Sequence, residues 1–225
     1  MKQITTILTM FLSVVVSVAM AQSVSPRKLT EATISYDIVI NTGNTKPQVA
    51  DLLDGATSVI YLKGNSSRSE MVSSLGSQAT IVDGKSGNVA ILKEYGDQRY
   101  MIRLTPDNWK QSNKKYEGIN FTYFNEYKTI NGYNCQKAVG KMSDSTSFTV
   151  YFTKDLVPVN KDFQYANKNL PGLAMQYEAA MGNMMVTYTV SNINFNPVPQ
   201  AKLDMPKSGY RVMTYEESKG AGLGN

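Results

Sequence analysis

Period-two alternation, repeated along the chain and broken by short Gly- and Asn-rich turns, limits this sequence to a sheet-based fold. Ala32, Ile34, Tyr36, Ile38 and Ile40 alternate with Thr33, Ser35 and Asp37, with Val39 as the exception. Such spacing places every apolar side chain on one face of a strand. Phe148, Val150 and Phe152 repeat the pattern against Thr149, Tyr151 and Thr153, and Leu173, Met175 and Tyr177 against Ala174, Gln176 and Glu178. A turn at Gly182-Asn183 then returns the chain through Met184, Val186, Tyr188 and Val190. The apolar phase slips to Ile193 and Phe195, which predicts a β-bulge near Ser191-Asn192.

The remaining segments follow the same logic. Residues 58–62 and 66–75 read as strands joined by Gly64-Asn65, and residues 80–92 as a hairpin around Asp83-Gly84-Lys85-Ser86-Gly87. Residues 98–104 and 119–127 continue the meander, and Asn131-Gly132, which tolerates φ > 0, turns the chain into a strand over 133–139. Helix signals are short: residues 47–53 before Gly55, and a segment capped by Thr105-Pro106-Asp107 that carries Trp109. The fold class is mainly β (α+β): a single antiparallel, strongly curved sheet or half-open β-barrel with one or two short helices. It is expected to occupy residues 22–217, with 218–225 as a frayed tail.

Residues 1–21 read as a signal peptide. Lys2 supplies the positive start, residues 7–19 the apolar run, and Ala19-Met20-Ala21 the small-x-small cleavage site. The run is short of the ~20 apolar residues a span needs, so the mature chain from Gln22 is expected to be periplasmic or secreted, without a transmembrane span and monomeric. Cys135 is the only cysteine, which excludes an intramolecular disulfide and marks a buried small hydrophobe. The formal charge is +5 and charged residues are 18% of the chain. The basic residues are scattered, densest at Lys110, Lys114 and Lys115, and lack the continuous stripe of a nucleic-acid groove.

Catalytic and metal chemistry find little support. The chain has no His, which removes the commonest general base, the His-activated nucleophiles and the usual zinc ligands. Gly84-Lys85-Ser86 imitates a phosphate-binding loop, but Ala79 stands where that loop needs its first Gly, and a strand follows in place of a helix. Two Ser-x-x-Lys tetrads, Ser25 to Lys28 and Ser112 to Lys115, lack the companion motifs of penicillin-interacting enzymes. No cofactor, no metal and no enzymatic activity are expected.

The segment Ile130-Asn131-Gly132-Tyr133-Asn134-Cys135-Gln136-Lys137-Ala138, an aromatic strand over 147–153, and Asn169-Leu170-Pro171-Gly172-Leu173-Ala174 follow one another in that order. This order resembles the exported bacterial proteins of the GLPGLI family, with Gly132, Tyr133, Cys135, Lys137 and Ala138 matching one element and Leu170 to Leu173 the core of the hexapeptide. Asn169 and Ala174 depart from its flanking Gly and Ile. Pro206, Gly209 and Tyr210 look like a neighbouring group of exported domains of unknown function, similar in fold to Lol-type lipoprotein carriers. The resemblance implies a half-open barrel around an apolar hollow.

Phe148, Val150, Phe152, Met175, Tyr177, Met184, Val186 and Tyr188 are then the candidate ligand-binding residues, with Met175, Met181, Met184 and Met185 as adaptable apolar surface. The expected function is a non-enzymatic carrier or binding module for an apolar ligand, a lipid acyl chain or a lipidated protein. The alternative is a cell-envelope interaction protein that offers a sheet edge, or the loop Asn196-Pro197-Val198-Pro199, to a protein partner. Pro171-Gly172 is expected to form a turn with Gly172 at φ > 0.

Overall fold

The computed structural model describes residues 25–41, 55–181 and 184–223. The targeting segment, the expected helix at 47–53 and the turn at 182–183 lie outside these residues. In chain order the strands are β1 (Arg27–Leu29), β2 (Glu31–Asn41), β3 (Thr57–Lys63), β4 (Ser66–Ser73), β5 (Gly76–Val82), β6 (Val89–Tyr95) and β7 (Gln98–Leu104). The second half adds β8 (Asn120–Ile130), β9 (Tyr133–Lys141), β10 (Ser147–Thr153), β11 (Leu156–Pro158), β12 (Leu173–Met181), β13 (Met184–Asn194) and β14 (Arg211–Thr214).

Among the described residues, twelve strands form one sheet in the order β14-β7-β6-β5-β4-β3-β2-β13-β12-β10-β9-β8. Every pairing in it is antiparallel except β14 against β7, and β1 pairs with β11 in a separate parallel ladder. The sheet does not close: β14 and β8 remain as edges. It does curl, because β13 comes within contact of β8 although β12, β10 and β9 lie between them. The mainly β, single-sheet expectation therefore holds in its open form.

Local sequence explains the ladder. Asn131 (φ 47) and Gly132 (φ 81) both adopt the left-handed backbone that a two-residue hairpin requires, and they join β8 to β9. The slip in apolar phase on β13 is a register shift between Val190 and Asn192, which keeps Tyr36 opposite Val190 and Ile34 opposite Ile193. A second shift separates Tyr151 from Phe152 on β10. The helix α1 (Pro106–Ser112) starts at Thr105, whose side chain accepts from the Asn108 backbone while Asn108 reaches back to the Thr105 N–H.

Two expectations are corrected here. The tail does not fray from Ser218: α2 (Tyr215–Gly220) is capped by Thr214 and Glu217, and Ser218 is buried. Leu223 and Tyr215 pack against Val89, Ile91, Ile102 and Leu104, and Lys93 donates to the Leu223 carbonyl at 2.9 Å. A capping box and two apolar anchors outweigh the fraying entropy that the Gly-rich composition suggests. Gly172 has no positive φ. Its constraint is close approach instead, since a Cβ there would stand 1.8 Å from the Thr153 carbonyl oxygen.

Candidate functional site

Cross-strand register assembles the candidate wall. Val150 stands opposite Ala138 on β9 and Tyr177 on β12, Tyr177 opposite Tyr188 on β13, and Tyr188 opposite Ile38 on β2. Partners in register share a face, so these side chains form one continuous surface. Phe148, Val150 and Phe152 cluster with Ile119, Ala138, Leu170 and Ala174. Tyr177 stacks on Tyr188 with ring centroids 4.9 Å apart and planes 9° apart, while Tyr36 meets Tyr177 edge-on at 5.8 Å.

The wall is closed by the chain itself. The connection from β11 to β12 contains a kinked 3-10 turn, Asp162–Asn167, with non-helical backbone at Gln164. Ala166 and Leu170 from this connection, together with Tyr116, pack onto the Phe148–Phe152 face. Gln164 Nε2 donates to the Tyr36 hydroxyl at 2.9 Å, and that hydroxyl donates in turn to the Ala174 carbonyl at 3.3 Å. Tyr165 donates to Glu117 at 3.3 Å and Asn169 Nδ2 to the Ile119 carbonyl at 3.2 Å. Within the covering connection itself is a partly open space of about 10 Å³, bounded by Phe163, Gln164, Asn167, Leu170 and Leu173 among others. That is room for about one water molecule.

Burial dominates the electrostatics beneath the cover. It pushes the Tyr177 hydroxyl well above its ordinary value, and likewise raises those of Tyr36 and Tyr188. None of the three is poised for acid–base work near neutral pH. Among the described residues two buried side-chain polar atoms have no hydrogen-bond partner, Trp109 Nε1 and Asn167 Oδ1. Both belong to the cover or touch it, since Trp109 meets Tyr165 edge-on at 6.5 Å. Asn167 lies in the covering turn, so closure buries one unpaired acceptor at about 1–3 kcal/mol, while Trp109 packs with Val89, Ile91, Ile102 and Leu104.

The structure brings together Phe148, Val150, Phe152 and Tyr177, with Tyr188 stacked beside them. Val186 is fully buried opposite Ala179 and Ile40. Met175 is fully buried in a second cluster with Cys135, Leu156 and Leu173, against which Tyr177 and Tyr188 also pack, while Phe148, Val150 and Phe152 belong to the other. The register shift between Tyr151 and Phe152 leaves Met175 without a partner on β10, since Tyr151 pairs with Gln176 and Phe152 with Ala174. The side chain of Met184 lies outside the described residues, and Met185 is exposed. Cys135 is buried, and burial pushes its thiol up to about 11.

Periodicity does not reveal a second feature. Edge strand β8 exposes Tyr123 (47%), Phe124 (42%) and Tyr127 (51%) around a register shift between Tyr123 and Tyr127. Glu126 is held there by Lys137 at 2.8 Å and by the Tyr151 hydroxyl, while Lys128 lies 3.6 Å over the Tyr151 ring. Phe121 and Tyr123 still pack on Phe148 and Phe152, at 6.0 and 5.6 Å between ring centroids, and the signal in the sequence is the density of aromatics on both faces of one strand. Among the described residues no group of three or more His, Cys, Asp or Glu could hold a metal, and no helix is long and apolar enough to cross a membrane.

Residues 49–186 match the family model described as "Domain of unknown function (DUF4412)". No curated protein matches the chain. Among solved structures it is similar to PNGF-II in its C2 space group, at 11% identity and a TM-score of 0.47, over 86% of this chain but only 32% of that one. It is similar to an uncharacterized conserved protein from Thermus thermophilus at 11% identity and a TM-score of 0.47, covering 83% and 91% of the two chains. MucB in complex with MucA(peri) is matched at 13% identity and a TM-score of 0.41, covering 82% and 56%. Likeness at these values carries nothing about a ligand. The GLPGLI likeness stays a resemblance in two short segments.

Proposed function

The chain belongs to the DUF4412 family, a domain of unknown function, and from that premise we propose that it is a non-enzymatic binding module of the cell envelope. Its ligand is an apolar chain, such as a lipid acyl chain or the lipid of a lipidated protein, taken onto the face of Phe148, Val150, Phe152, Tyr177 and Tyr188. The observation that supports this reading is the nature of what covers that face. A large aromatic wall is closed by an irregular connection whose own Asn167 Oδ1 is buried and unpaired.

Among the described residues the cover packs onto this face, so binding requires the cover to lift. The hydrogen bonds from Gln164, Tyr165 and Asn169 contribute about 1 kcal/mol each, and burial of Leu170 about 2 kcal/mol more. Ten buried methylenes supply about 8 kcal/mol, which exceeds the displacement but leaves only about 3 kcal/mol against the costs of association. A chain of ten methylenes therefore binds weakly at best, and longer acyl chains bind better. The ligand thereby selects an open form that is a minor population without it. Titration with a fluorescent fatty acid tests this: saturable one-to-one binding supports the reading, and no binding to either wild type or a loosened-cover variant defeats it.

A second reading rests on β8. Its exposed Tyr123, Phe124 and Tyr127 border an unpaired strand edge, and an extended segment of a partner protein would fit there by backbone pairing. Tyr127→Ser and Phe124→Ser would then abolish capture of that partner without changing acyl-chain binding.

A further inference from the structure

The aromatic wall continues past β10 to the open edge of the sheet. Tyr123 on β8 stands opposite Ala138, Ala138 opposite Val150, Val150 opposite Tyr177, and Tyr177 opposite Tyr188. Ala138 and Val150 are buried, Tyr177 and Tyr188 are half-buried, and Tyr123 is 47% exposed. We infer that the ligand is a single-chain amphiphile lying along this row, with its polar head at Tyr123 and its methyl end at Tyr188. The inference rests on the acyl-chain reading above and adds to it the direction and the length of the chain.

Between β8 and β10, β9 presents the small residues Ala138 and Gly140 to this face. A Cβ at Gly140 would stand 2.6 Å from Phe148 Cζ and 2.9 Å from Phe121 Cε1. The rings of β8 and β10 therefore meet over the strand between them, Phe121 on Phe148 and Tyr123 on Phe152, both edge-on. The apolar surface thus runs unbroken from the buried wall to the exposed rim. A charged or hydrogen-bonding head resists dehydration and stays where water reaches it, which in this row is Tyr123. Half-buried Gln136, next along β9 on the same face, brings an amide to that rim. At the far end the Tyr188 hydroxyl meets the Met71 thioether at 4.0 Å and Ile38 stands beyond it, surroundings that suit a methyl group. Four strand intervals of about 4.8 Å separate β8 from β13, about 19 Å in all. With C–C bonds of about 1.5 Å in a zigzag, an extended chain of about fifteen carbons spans that distance.

Nuclear magnetic resonance of the isotope-labelled full chain tests the direction, with stearic acid that carries a nitroxide either beside its carboxylate or beside its methyl end. The carboxylate-side label should broaden the amide signals of β8 around Tyr123, and the methyl-side label those of β13 around Tyr188. Titration with unlabelled saturated fatty acids tests the length: affinity should rise with each added carbon to about fifteen and then level off. Tyr123→Ser should weaken stearic acid binding about fivefold, with circular dichroism showing the variant folded. Tyr95 is 41% exposed on β6, far from the row, and Tyr95→Ser should bind as wild type. The reverse broadening pattern, broadening of both strands alike by both labels, or equal affinity in Tyr123→Ser would overturn the inference while leaving acyl-chain binding in place. Failure of every fatty acid to bind, in wild type and in Gln164→Ala, would defeat the reading on which it rests and the inference with it.

Discussion

Gln164 donates its side-chain amide to the Tyr36 hydroxyl across 128 positions of sequence, at 2.9 Å. This bond ties the irregular cover to the central strand β2, at Tyr36, which meets Tyr177 edge-on at 5.8 Å. Its partners decide whether the aromatic wall is core or binding surface.

Gln164→Ala removes the bond while leaving the wall intact. About 1 kcal/mol of closure is lost, which should raise apparent affinity for an acyl chain about fivefold by increasing the open population. Titration of both proteins with the same fluorescent fatty acid gives the ratio; an unchanged or lower affinity contradicts the cover's role.

Gly172→Ala should destabilise the protein by about 2 kcal/mol or more, through collision with the Thr153 backbone and not through left-handed strain. Urea denaturation measures it. A midpoint equal to that of wild type would show that the strand ends separate freely at this point.

Much of the sheet was legible because alternation is a local property. Ala32 to Ile40, Phe148 to Phe152 and the slip before Ile193 each carry their own phase, and the bulge at Val190/Asn192 sits where the slip puts it. The site was legible only in part. Met175 follows the alternation of Leu173 and Tyr177, yet it is the residue passed over where Tyr151 pairs with Gln176 and Phe152 with Ala174, and no break in the apolar pattern of β12 signals that bulge. The cover was not legible at all. Residues 160–172 have no periodicity, and their packing on Phe148, Val150 and Phe152 is set by long-range contact alone.

The C-terminal segment should matter to stability. Deleting residues 215–225 removes Tyr215 and Leu223 from the cluster with Val89, Ile91, Ile102 and Leu104 and takes the Leu223 carbonyl from Lys93. About 3 kcal/mol should be lost, read as a lower thermal midpoint. An unchanged midpoint would return these residues to a loose tail.

Glu126 supplies a pH-dependent contact at the β8 edge. The bond from Lys137, and after it that from the Tyr151 hydroxyl, hold its carboxyl below the ordinary value. A depressed carboxyl contributes stability above its unfolded pKa and loses it as pH falls through the folded one. Wild type should therefore exceed Glu126→Gln in thermal midpoint at neutral pH by a small margin, and the two should converge in acid. Divergence in acid would contradict the assignment.

Hydrogen exchange with and without a bound fatty acid tests the central claim most directly. The account predicts that an acyl chain bound one-to-one speeds exchange across residues 161–170 and leaves β10 and β12 protected. Binding that leaves 161–170 as protected as in the free protein would contradict it.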